Sequence, residues 1–101
     1  MSNPLTEREP LRVLKTYPAF QALRAQAEMH EWEYRPKEAA KLQKSGTLGQ
    51  VLDSRAVAAW NAIRDCLANG MNPNEAEEVG LPNILLPTEA DEAAREDDDQ
   101  Q

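Results

Sequence analysis

At 101 residues the chain is long enough for one domain and too short for two, so a single modest core has to serve. Aromatics make up 5% of it (Tyr17, Phe20, Trp32, Tyr34 and Trp60), which leaves the core to Leu, Val, Ile and Ala and suits helices packed closely through small residues. The lone cysteine, Cys66, excludes an internal disulfide, and the net charge of -7 is unevenly spread.

Residues 1–50 carry eight Lys/Arg against six Asp/Glu, whereas residues 51–101 carry three against twelve. Residues 88–101 alone hold seven acids and one Arg, so residues 1–87 are left at -1. The body is nearly neutral and the acidity is mostly a tail. The opening "MSNPLTEREPLRV" lacks the basic region and long apolar run of a secretory signal. No window approaches the roughly 18 apolar residues of a membrane span. The expectation is a cytoplasmic protein with no membrane association.

Proline and glycine divide the chain. Pro10 to Lys15, with Leu11 and Leu14 three apart, reads as a short helix. Tyr17 is pushed out of the helical region by Pro18, where a new helix should begin. From there to about Tyr34, Phe20, Leu23, Ala27 and Tyr34 share one face, while Gln21, Arg24, Glu28, Glu31 and Arg35 share another. Trp32 falls opposite Leu23 and Tyr34, beside Ala25 and Met29. This second apolar face implies either burial between two neighbours or an exposed patch suited to a protein interface.

Pro36 ends that helix and opens "PKEAAKLQK", which Ser45-Gly46 stops. "TLGQVLD" then leads into "DSRAVAAWNAIRDCLANG", with Asp53 or Ser54 as N-cap. Ala56, Ala59, Trp60, Ile63, Cys66 and Leu67 recur on one face of this helix, and Asn69-Gly70 stops it. Asn72 followed by Pro73 caps and opens a short helix that Gly80 closes, with early glutamates suiting its positive end. "TEADEAAREDDDQQ" is too polar to bury anything and reads as disordered. No segment alternates with a strand period over more than four residues. The pattern therefore predicts an all-α fold: a small compact bundle of four or five short helices in a single domain over 1–87, followed by a disordered acidic C-terminal tail over 88–101.

The corner "LANGMNPNEAEEVGLP" has the turn chemistry of a DNA-reading helix-turn-helix. Its second helix carries Glu75, Glu77 and Glu78 and no base, so carboxylates would face phosphates with no Arg or Lys to read guanine. It reads as a helical corner with solvent-facing glutamates. The only concentrated basic stretch is Arg35, Lys37, Lys41 and Lys44, the last three on one helical face, which suits a phosphate backbone or an acidic protein patch. An ordinary solvated helix face fits the same residues, and the acidic tail folding back on them is a third option. The tail itself suits either solubility or imitation of a nucleic-acid backbone. "NILLP", with Ile84, Leu85 and Leu86, suits either closure of the core or an anchor in a partner's groove.

Enzyme chemistry finds little purchase. His30 is the only histidine, HExxH is absent, and one His without a second His or Cys ligand does not make a zinc site. Cys66 lies on an apolar face as a core thiol. "KSGTLGQ" lacks the spacing of a phosphate-binding loop. No catalytic residue, metal or cofactor is expected. The leading expectation is a non-enzymatic accessory subunit, adaptor or inhibitor that binds another protein through Met29, Trp32, Ile84, Leu85 and Leu86. The alternative is a nucleic-acid-binding regulator using the basic face at Arg35, Lys37, Lys41 and Lys44, as a symmetric homodimer in one form.

Overall fold

Proline rings open three of the longer helices, and left-handed glycines close two. The computed structural model describes residues 8–92, all helix, turn and loop with no strand among them. The order is α1 (Leu11–Leu14), α2 (Pro18–Tyr34), α3 (Pro36–Ser45), α4 (Leu48–Ala68) and α5 (Pro73–Gly80), followed by a 3-10 turn at Leu81–Asn83. The fold is all-α and compact, as the residue pattern predicts. No helix among the described residues is long and apolar enough to cross a membrane.

Tyr17 is extended (φ -89°, ψ 125°) before Pro18, and Arg35 (φ -136°, ψ 51°) makes the corner before Pro36. Gly46 at φ 79° ends α3: its N–H donates to Gln43 O at 3.1 Å, and the Thr47 N–H reaches Leu42 O at 2.9 Å. Gly70 at φ 88° repeats the arrangement after α4, with its N–H on Leu67 O (3.1 Å) and the Met71 N–H on Cys66 O (3.0 Å). Both are glycine-terminated caps that satisfy carbonyls the helix leaves open. Asn72 caps α5, its side chain accepting from the Glu75 N–H at 2.9 Å.

The start of α4 differs from expectation. The helix runs unbroken from Leu48, so Asp53 and Ser54 are interior residues and Thr47 stands at the N-cap, without a side-chain cap bond. Gly49 is the one residue upstream that disfavours a helix. Its cost of about 1 kcal/mol does not stop a long helix held by tertiary packing. Asp53 is committed elsewhere, accepting from Arg24 Nε at 2.9 Å with Lys15 Nζ at 3.2 Å.

The core consists of two clusters that share α4. Ala27, Leu52, Ala59 and Ile84 form one, flanked by Leu23, Leu48 and Leu81. Leu14, Phe20 and Ala56 form the other, flanked by Leu11, Tyr17, Val57 and Trp60. Trp60 is half-buried, stacked on Tyr17 (centroids 5.8 Å apart) and edge-on to Phe20 (5.9 Å), with the Arg64 guanidinium over its ring. Ala39 and Ala76 are fully enclosed like the cluster alanines, so small residues set the close spacing of the helices. The inward face of α2 needs a second correction. Tyr34 is exposed, and Glu31 is buried in line with Phe20 and Ala27.

Residues 89–92 form one helical turn that folds back on the α2–α3 corner. The remainder of the expected disordered tail, residues 93–101, lies outside the described residues.

Gly80 is where α5 meets α4. A Cβ there falls inside van der Waals contact of Ile63 Cγ1 and 3.0 Å from Ala59 O. Overpacking of this kind costs about 1–3 kcal/mol. Urea denaturation of Gly80→Ala is expected to show a loss of that size.

Candidate protein-binding surface

Two residues that the helical pattern places on a solvent face, Glu31 and Arg35, are buried: 0% and 5% exposed. Their neighbours explain this. Arg55 reaches from α4 to set Nη1 2.6 Å from Glu31 Oε2 and Nη2 2.6 Å from Glu38 Oε1. Arg35 bonds Glu38 and the Pro87 carbonyl and lies 2.8 Å from Glu92 Oε1. Its Nε is 3.8 Å from Glu31 Oε2. Two guanidiniums thus bind three carboxylates at the meeting point of α2, α3, α4 and the C-terminal segment. Glu31 Oε1 and Arg35 Nε complete no hydrogen bond among the described residues.

The electrostatics follow from burial and pairing. Burial pushes the Glu31 carboxyl up, against the pull of Arg55, and the like charge of Glu38 adds to the rise. For Glu38, burial also acts upward, but the hydrogen bonds from Arg35 and Arg55 outweigh it and hold the carboxyl below its ordinary value. Asp53 follows the same balance, with Arg24 and Lys15 outweighing burial.

The C-terminal segment is fastened across this corner. His30 Nε2–H donates to Leu86 O at 2.7 Å, and Glu89 Oε1 accepts from the backbone N–H groups of Lys37 (2.8 Å) and Glu38 (3.1 Å). Glu89 therefore caps the otherwise open first turn of α3. Arg35 is tied into the ion cluster and drops out of the expected basic face. Lys37, Lys41 and Lys44 remain exposed along α3.

The candidate protein-binding residues separate in the same way. Ile84 is 1% exposed in the core with Ala27, Leu52 and Ala59, so it closes the core and offers nothing to a partner. Leu86 is half-buried, while Leu85 is exposed. Leu85 joins Met29, His30 and Tyr34 around a shallow hollow of about 160 Å³. Met29 is 65% and Trp32 38% exposed, so the second apolar face of α2 is a surface patch. It extends further than these two residues: Ala25 and Ala22 are exposed on the same side, one and two turns before Met29.

The helical wheel does not reveal the groove beside this face. About 440 Å³ in volume, it runs between α2, α4 and α5 past Ala22, Leu23, Gln26, Trp60, Ile63 and Glu77. Its walls come from three helices; Ala22 belongs to the stripe, Leu23 and Gln26 are next to it in sequence, and Trp60, Ile63 and Glu77 come from elsewhere in the chain. Among the described residues no group of three His, Cys, Asp or Glu side chains is placed to hold a metal ion. Comparison with protein-family models, curated proteins and solved structures finds no match for the chain.

Two measurements test the ion pairs. Arg55→Met leaves Glu31 buried without its nearest cation, a change expected to cost about 3–5 kcal/mol at pH 7. The loss should shrink as pH falls, because burial raises the pKa of Glu31 and favours its protonated form. In the intact protein Glu31 binds its proton more tightly folded than unfolded, so the stability it contributes is lost as pH rises through its raised pKa. Glu38 and Asp53 act with the opposite sign: their contribution is present above the ordinary carboxylate value of about 4 and lost as pH falls through their depressed values. Chemical denaturation of Asp53→Asn from about two units below to about three above that value is expected to show lower stability at neutral pH and a shallower fall in acid.

Proposed function

We propose that this is a non-enzymatic binding protein, an adaptor, accessory subunit or inhibitor, that presents the outer face of α2 to another protein. The observation that carries this reading is the stripe Ala22, Ala25, Met29 and Trp32, exposed on the side of α2 away from the core. Scattered apolar residues on a surface are ordinary, but an aligned run ending in Met and Trp is typical of the centre of an interface. The inward face of α2 is bound to α4 by Arg24–Asp53 near one end and Glu31–Arg55 near the other. A partner therefore meets a helix already held in place, which lowers the ordering cost of binding.

The rival reading, a nucleic-acid-binding regulator, rests on Lys37, Lys41 and Lys44 along α3. It is the weaker of the two. Arg35 is neutralised within the ion cluster, and the Glu89 carboxylate occupies the α3 N-terminus, where a phosphate would otherwise be favoured. Glu75, Glu77 and Glu78 are exposed on α5, which presents no base to a phosphate backbone.

The test is capture from a native lysate, treated with nuclease, on immobilised intact protein and on two variants. Met29→Ala, at a residue 65% exposed, is expected to lose the captured protein while keeping its thermal midpoint, since a change at an exposed site shifts stability by only about 0.5 kcal/mol. Lys37→Glu/Lys41→Glu/Lys44→Glu is expected to retain it. Recovery that needs nucleic acid, falls steeply with salt and fails in the triple variant would instead select the rival.

A further inference from the structure

We infer that the occupant of this face is a basic amphipathic helix from a different protein. The inference rests on the reading of α2 as a docking surface and names the chemistry of its partner. Ala22, Ala25, Met29 and Trp32 are spaced three, four and three residues apart, the rhythm of a seam that packs along another helix. The alanine end lets a second backbone come close, and Met29 and Trp32 fill the space further along. Ala22 also lines the 440 Å³ groove, so a helix on the seam directs its next row of side chains toward Trp60 and Ile63.

The rim of this surface is acidic on the groove side, at Glu33 and Glu77, and mixed on the opposite flank, where Lys15, Arg24 and Asp53 stand with Glu28 beside Ala25. Gln21 and Glu28 flank the seam on one side, Gln26 and Glu33 on the other, and all four are exposed. Glu28 shares its charge with Arg24 at 2.9 Å, but its side chain is still half in solvent. Glu77 is the one charged residue lining the groove. A helix with Lys or Arg beside its apolar seam meets Glu28, Glu33 and Glu77, which favours encounter and fixes orientation.

A second copy of the chain docked antiparallel sets Glu28 against Gln21 and Glu33 against Gln26 and gains no charge pair, and docked in parallel it fits worse. In a parallel pair the flanking geometry sets Glu28 against Glu33 of the other copy, twice, and like charges across a seam destabilise it. Both copies also carry -7. An anionic lipid surface is repelled by the acidic groove side, at Glu33 and Glu77.

Two synthetic helical peptides with an identical Leu/Ile seam, one flanked by Lys and one by Glu, test the inference against the full-length chain by fluorescence anisotropy. Three rim pairs of ordinary exposed strength amount to about a tenfold preference for the Lys-flanked peptide at low salt. Trp32→Ala should abolish its binding, and Glu28→Gln/Glu33→Gln should remove most of the preference while leaving the seam intact. Equal binding of both peptides, or of neither, overturns the basic-helix inference but leaves the docking face standing. Lys-flanked binding that is indifferent to both Trp32→Ala and Met29→Ala overturns the docking face as well. Sedimentation equilibrium on the chain alone supplies the remaining arm: a dimer abolished by Trp32→Ala assigns the face to a second copy.

Discussion

A carboxylate on the inward face of a helix sets the terms for half of this fold. Glu31 lies one turn beyond Ala27, where the core face of α2 continues, and it is fully enclosed. A charge in that position is tolerated only with a cation in contact, since the cost of removing an ion from water amounts to several kcal/mol. Arg55 supplies the cation from the middle of α4, which fixes the rotation of α4 against α2. The same guanidinium holds Glu38 at the start of α3, and Arg35 adds Glu38, Glu92 and the Pro87 carbonyl. The angle between α2 and α3 and the seat of the C-terminal segment thus follow from one buried acid.

The alanine-lined clusters supply the apolar drive, but they leave orientation loosely specified. Ala27, Ala56 and Ala59 are small enough to let neighbouring helices approach at several angles. Directional bonds from Arg24 and Arg55 choose among those angles. The arrangement draws Arg24 and Glu31 inward beside Phe20 and Ala27 and leaves Met29 and Trp32 outward on a helix whose back is fixed.

Helix limits were legible because Pro18, Pro36 and Pro73 can only open a helix and Gly46 and Gly70 readily accept the left-handed turn that ends one. The role of small residues in the core and the second apolar face of α2 were legible too, since both are local patterns. The failures have a common cause. Glu31 and Arg35 look solvated on a helical wheel because polarity is a property of the residue, while burial depends on Arg55, Glu38 and Glu92, the last 57 positions from Arg35. Asp53 resembles a cap because Asp caps helices, and only the presence of Arg24 and Lys15 shows why it is inside one. Ile84 and Leu85 are adjacent and equally apolar. Which of them faced inward depended on the 3-10 turn at Leu81–Asn83, and the groove past Trp60 needed three helices to be in place before it existed.

The strap made by Leu86–Glu92 bears on how the corner can open. A surface segment held mainly by polar contacts is the kind that opens locally, ahead of global unfolding. When it lifts, Arg35 loses the Pro87 carbonyl and Glu92, and α3 loses the carboxylate that caps its first turn, while Ala27 and Ala59 stay packed on their neighbours. The most costly buried charge therefore stands beside a joint that can admit water without the core coming apart.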